Sequence, residues 1–137
     1  MSDVLVLDTG PLVAYFDRDE DHHRWARDAF AAWHARVVSC EAVIAESWYL
    51  LRRHKDAQDA LLGLVADRTL EVDYSLRADA VNVRRLVKRY RSVPMSLADA
   101  CILSLAERHR APVCTLDSDF RIYRTERKTA LALIMPE

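Results

Sequence analysis

Two kinds of apolar stretch alternate along this chain. Val4-Leu5-Val6-Leu7 is an unbroken apolar run ending at Asp8, the mark of a strand buried on both faces of a parallel sheet. Gly10-Pro11 turns the chain into a helical segment with Leu12, Val13, Tyr15 and Phe16. Residues 21–34 carry Trp25, Ala29, Ala32 and Trp33 at helical spacing, and residues 37–40 read as a second short strand. Residues 42–54, with Val43, Ile44, Trp48, Leu50 and Leu51, predict a helix with little polar surface. Residues 56–67 predict another, with Leu61, Leu64 and Val65 on one face. Leu70, Val72 and Tyr74 then alternate with Glu71 and Asp73, as in a half-buried or edge strand.

Residues 77–91 return to a helical period, and Pro94 stops them. Ser96 reads as an N-cap with Asp99 at the third helical position, in the manner of a capping box. A strand at 112–115 runs into Asp117, a short helix surrounds 120–123, and residues 129–135 form the last strand. Strands separated by helices predict an α/β fold, a three-layer α/β/α sandwich around a mostly parallel sheet. At 137 residues, with no repeat or linker, the chain reads as one domain over 1–137.

Composition narrows the chemistry. With 51% apolar and 30% charged residues the chain is a globular protein. Its only glycines, Gly10 and Gly63, exclude a Walker loop or a G-x-G-x-x-G turn, which need several in one place. Cys40, Cys101 and Cys114 form no C-x-x-C pair and sit among apolar neighbours, so they read as core residues. The segment 1–8 has no basic start of a signal peptide, and no apolar run is long enough for a bilayer, so the expected address is cytoplasmic, with no membrane partner. A net charge of -1 argues against binding nucleic acid through bulk positive charge.

The acids carry the chemistry. In a parallel sheet, ligands bind beyond the carboxyl ends of the strands. Asp8 and Asp117 follow strands at that edge, and Glu46 and Asp99 lie near the starts of helices that begin there. Four carboxylates at one point repel one another unless cations sit between them. An all-oxygen set suits Mg²⁺ or Mn²⁺ and not zinc, and such ions activate water toward a phosphodiester. The residues therefore point to a divalent-metal phosphodiesterase.

At these positions the sequence resembles PIN-domain ribonucleases. Val4-Leu-Val-Leu-Asp8-Thr9-Gly10-Pro11 is similar to their opening strand and turn, and Ala45-Glu46-Ser-Trp-Tyr-Leu-Leu51 to their second acidic motif. Ser96-Leu-Ala-Asp99 resembles the third and Cys114-Thr115-Leu116-Asp117-Ser118-Asp119-Phe120 the fourth, in the same order and over the whole chain. Within the family the chain is most similar to the VapC-like toxins of toxin–antitoxin pairs. The resemblance implies a parallel five-stranded sheet and a Mg²⁺- or Mn²⁺-dependent endoribonuclease. It makes Asp8, Glu46, Asp99 and Asp117 metal-binding and catalytic acids, with Asp119 contributing a ligand through water. It makes Thr9 and Thr115 hydroxyls that hold waters or orient carboxylates. The expected partners are RNA, a cognate antitoxin and a second copy in a homodimer. Ser118 stands where a basic residue is common in similar sequences, which removes one RNA contact.

Blander and rival readings stand beside this one. Asp8 alone is a turn residue and Asp99 alone a capping acid, whereas Glu46, set among Val43, Ile44 and Trp48, would be a costly buried carboxylate. His22, His23 and His34 lack metal-ligand spacing and read as exposed. Trp25, Phe30, Trp33 and Trp48 read as core or dimer face before base-stacking platforms. A catalytically silent PIN-like module that holds RNA or protein is the alternative, against which stand the four intact acids. An aspartyl phosphatase would want a second Asp where Gly10 stands. The charge balance also reads differently once the acids are set apart: without those four, 17 acids remain against 20 basic residues. The surplus is concentrated in 77–91 and 121–128, the first being either a solvated helix face or a surface that tracks phosphates.

Overall fold

The computed structural model describes residues 3–137; Met1 and Ser2, at the head of the segment read above for a signal peptide, lie outside the described residues. The elements are β1 (Val4–Leu7), α1 (Thr9–Phe16), α2 (His23–Ala32), β2 (Arg36–Val38), α3 (Glu41–Leu50) and α4 (Lys55–Ala66). They continue as β3 (Leu70–Glu71), α5 (Leu76–Arg89), α6 (Leu97–His109), β4 (Val113–Cys114), a 3-10 turn at Ser118–Arg121, and β5 (Leu133–Ile134). The strands form one sheet in the order β3-β2-β1-β4-β5, and every pairing is parallel. The chain builds outward from β1 to β3, then returns to add β4 and β5 on the other side. The strand order therefore switches between β1 and β4, where α/β sheets open their binding crevice.

Burial explains the central elements. All of β1 is buried, as its unbroken apolar run requires. In α6, every residue from 98 to 106 is buried, so this helix is the second axis of the core. Ala98, Ala100 and Ala106 keep its girth small, and a helix without a polar face belongs inside. Its start is set by Ser96, whose Oγ accepts from the Asp99 backbone N–H at 3.0 Å. A polar clamp holds α5 on α6: Asp79 accepts from Tyr74 OH at 2.6 Å and from Ser104 Oγ, and Asn82 Nδ2 donates to that Oγ at 3.0 Å. Cys40, Cys101 and Cys114 are free and buried. Among the described residues no helix is long and apolar enough to cross a membrane.

Two expectations are corrected. The last strand spans only Leu133–Ile134 and not 129–135. Residues 124–130 instead form a tight turn, with the Lys128 N–H donating to Thr125 O at 2.8 Å and Arg124 bridging Ala130 antiparallel. The second concerns α3, which buries only Val43 and Ser47 and leaves Trp48, Tyr49 and Leu50 40, 60 and 48% exposed. A helix apolar on all sides does not reveal from its own sequence which side is covered. Here α1 and α6 cover one side and α4 packs on another, while Trp48, Tyr49 and Leu50 face solvent.

Candidate active site

The site begins where β1 ends. The Asp8 backbone N–H donates to Cys114 O at 3.0 Å, which ties the strand end to β4. Asp8 stands at the N-cap of α1, yet its carboxylate makes no capping bond there. It turns across the sheet instead, where Thr115 Oγ1 donates to Asp8 Oδ2 at 2.7 Å. The same hydroxyl accepts from the Asp117 backbone N–H at 3.0 Å, so one fully buried threonine joins the loops after both central strands. Asp117 Oδ1 in turn accepts from the Asp119 N–H at 2.9 Å, which fixes the 3-10 turn. Thr9 is buried beside Asp8, and its Oγ1 has no hydrogen-bond partner among the described residues.

Asp99 enters from the first turn of α6. It completes the capping box at Ser96, and its Oδ2 accepts from Tyr123 OH at 2.8 Å. Tyr123 is fully buried and packs edge-on against Tyr90 and Phe120, with ring centroids 4.9 and 5.1 Å away. Tyr90 OH accepts from the Arg124 backbone N–H at 2.9 Å, so the end of α5 is pinned to the loop that carries Tyr123. Sequence reading passed over Tyr123. The available signal was its hydroxyl, since a buried tyrosine almost always finds a polar partner.

The electrostatics are those of carboxylates starved of solvent. Burial lifts Asp8 from the ordinary range to about 6 against the hydrogen bonds from the Thr115 hydroxyl and the Thr9 backbone N–H, and the charges of Asp99 and Asp117 push it further up. Asp99 is raised for the same first reason, with Asp117 adding repulsion and Tyr123 and Ser96 opposing it. Asp8, Asp99 and Asp117 thus feel one another's charge. Glu46 does not belong to this buried set. It is exposed on α3, and no hydrogen bond or ion pair joins it to the others among the described residues, so its expected apolar burial is overturned. It remains on a helix that packs on both α1 and α6, at the rim.

The donor set fits a hard divalent cation in kind: carboxylates and hydroxyls only, a buried acid that resists ionising alone, and an unpartnered Thr9 hydroxyl beside it. The cage is not closed around one point. Among the described residues no three His, Cys, Asp or Glu side chains are grouped closely enough to hold an ion. The histidines play no part. His22 and His34 are exposed, while His23, expected to be exposed, is half-buried with Nδ1 2.7 Å from Ala14 O. Trp25, Phe30 and Trp33 pack against the core.

A family model for the PIN domain matches residues 5–126, which take in all of these acids. This chain is a PIN domain. Ribonuclease VapC26 of Mycobacterium tuberculosis is 31% identical to it over 116 residues, covering 82% of this chain and 86% of the relative. Among solved structures, the PIN domain is similar in fold to VapC20 of Mycobacterium tuberculosis, a sarcin-ricin loop cleaving toxin. That match has a TM-score of 0.76 and 18% identity and covers 84% of this chain and 91% of the other. A toxin–antitoxin complex from Klebsiella pneumoniae matches with a TM-score of 0.65 at 22% identity, over 83% and 87% of the two chains. VapBC2 of Rickettsia felis, bound to a fragment of its promoter, matches with a TM-score of 0.64 at 19% identity, over 98% and 99%. The five-stranded parallel sheet between helices is therefore the arrangement of these PIN proteins.

Proposed function

We propose that this PIN domain is a divalent-metal-dependent endoribonuclease and the toxin of a toxin–antitoxin pair. The observation that carries the reading is the buried Asp8–Thr115–Asp117 hydrogen-bonded cluster beside Asp99, at the β1/β4 switch of a chain 31% identical to a ribonuclease. In it, Asp8, Asp99 and Asp117 hold the cation, Glu46 contributes from the rim, and Asp119 acts through water. Bound Mg²⁺ or Mn²⁺ supplies positive charge to phosphate oxygens and lowers the pKa of a water. The chain's own groups do the positioning. Thr115 holds Asp8 Oδ2 and Tyr123 holds Asp99 Oδ2, so each acid offers its other oxygen in a defined direction. Asp117 is the least buried of the three, and with Oδ1 held by the Asp119 N–H its Oδ2 is free to take the proton of an attacking water.

The partner reading is supported by the apolar surface of α3 and α4, where Trp48, Tyr49, Leu50 and Leu62 stand exposed. Such a surface suits a chain that works bound to protein, first an antitoxin and then a second copy of itself. Cleavage of single-stranded or transfer RNA with Mg²⁺ or Mn²⁺, set against the same reaction in EDTA, tests the reading. Activity is expected only with metal and lost in Asp8→Asn and Asp99→Asn. Cleavage that survives chelation or both substitutions would overturn it.

A further inference from the structure

The cations of α5 divide into two groups. Arg85 and Arg89 are engaged: Arg85 lies 3.5 Å from Glu126 and donates to Asn82 Oδ1, Arg89 sits over the Tyr90 ring, and both act on the charge of Glu107. Arg77, Arg84 and Lys88 are exposed and have no ion pair or hydrogen bond among the described residues, and neither does Arg91 just past the helix. At 100° per residue, Arg77, Arg84 and Lys88 fall within about 40° of one another, a stripe about 16 Å long down the outer face. The one acid of α5, Asp79, is turned inward to Tyr74 and Ser104 and does not neutralise it. Val81, 84% exposed, is the only apolar residue on the stripe.

The stripe has a direction. Its C-terminal end lies over the acid cluster's support: on the buried face of that end Tyr90 packs on Tyr123, the residue that holds Asp99. The Tyr90–Arg124 bond also brings that end against the segment carrying exposed Arg121, beside Asp117 and Asp119. We propose that Arg77, Arg84, Lys88 and Arg91 form the track along which an RNA strand is held by its phosphates while the scissile one sits at the acid cluster. This rests on the ribonuclease reading and names the surface that serves it. Unpaired cations in line suit a polyanion with regular charges, whereas the centre of a protein interface is apolar and aromatic.

The test uses Asp117→Asn protein, silenced for cleavage, with a labelled single-stranded RNA oligonucleotide and Mg²⁺, followed by fluorescence anisotropy across salt. Arg84→Gln/Lys88→Gln is compared with the parent and with Arg24→Gln/Lys55→Gln, which removes equal charge elsewhere. The stripe variant is expected to bind roughly tenfold more weakly, with a log–log salt slope smaller by about 1.4, and the control is expected to match the parent. Equal slopes in stripe variant and control would overturn the track, and would do so while wild-type cleavage of RNA with Mg²⁺ leaves the ribonuclease reading intact. Loss of binding to a co-expressed antitoxin in the stripe variant, with its RNA slope unchanged, would assign the stripe to an acidic protein. A parent that does not bind RNA, together with wild-type protein that does not cut it with Mg²⁺ or Mn²⁺, would overturn both readings.

Discussion

Asp8→Asn is expected to make the metal-free protein more stable at neutral pH and less able to bind metal. Burial raises the Asp8 carboxyl from 3.8 to about 6, so the folded chain holds this proton more tightly than the unfolded chain does. Stability therefore falls as pH rises from about 4 to about 6, and the penalty is complete above that window and absent below it. A displacement of about 2 pKa units corresponds to roughly 3 kcal/mol. Asparagine stays neutral at every pH, and its Oδ1 still accepts from Thr115 Oγ1, so most of the penalty is removed. At roughly 4 °C per kcal/mol for a chain of this size, Tm in EDTA at pH 7.5 should rise by up to about 10 °C. At pH 4 the two proteins should melt together. Adding Mg²⁺ should raise the wild-type Tm and leave the variant almost unmoved. A variant that melts below wild type at pH 7.5 in EDTA, or one whose advantage persists unchanged at pH 4, would refute the reasoning.

Tyr123→Phe leaves Asp99 Oδ2 without its 2.8 Å donor and should weaken Mg²⁺ or Mn²⁺ binding about 10- to 100-fold by calorimetry. Tyr90→Phe, which loses a hydroxyl from the same aromatic cluster but not from an acid, should keep wild-type affinity, and equal effects of the two would reject the assignment. Thr115→Val keeps the shape but strands Asp8 Oδ2 and the Asp117 N–H, so chemical denaturation should report a loss of about 1–3 kcal/mol together with reduced cleavage. Gly10→Ala places a Cβ 3.0 Å from Leu116 Cβ, backbone-side and hard to move, and should cost on the order of 1–3 kcal/mol. Ser96→Ala removes the cap of α6 and should cost about 1 kcal/mol; no change in either melt would mean the loop or the cap relaxes freely.

What was legible in the sequence was local. The run Val4–Leu7 specifies a doubly buried strand whatever else the chain does, and Ser96 with Asp99 announces a helix start from positions three apart. Asp8 and Asp117 could be placed at one edge because parallel topology puts strand ends together. What stayed hidden depended on facing surfaces. Glu46 looked buried because its neighbours along the chain are apolar, but burial in α3 is decided by α1 and α6, which cover Val43 and Ser47. The length of β5 was obscured because residues 124–130 satisfy their backbone groups within a local turn. Tyr123 was missed because its partner lies 24 residues away and nothing local marks the pairing.

The Thr115–Asp8 bond closes a loop of 107 residues, nearly the whole chain. Contacts this distant in sequence carry a high loop-closure cost and form slowly in folding. Until β4 slides in beside β1, the first acid has neither its hydroxyl nor its companions. The acid cluster is thus a property of the finished sheet: a variant that loosens β4 from β1 loses the cluster even where the rest of the core stays packed.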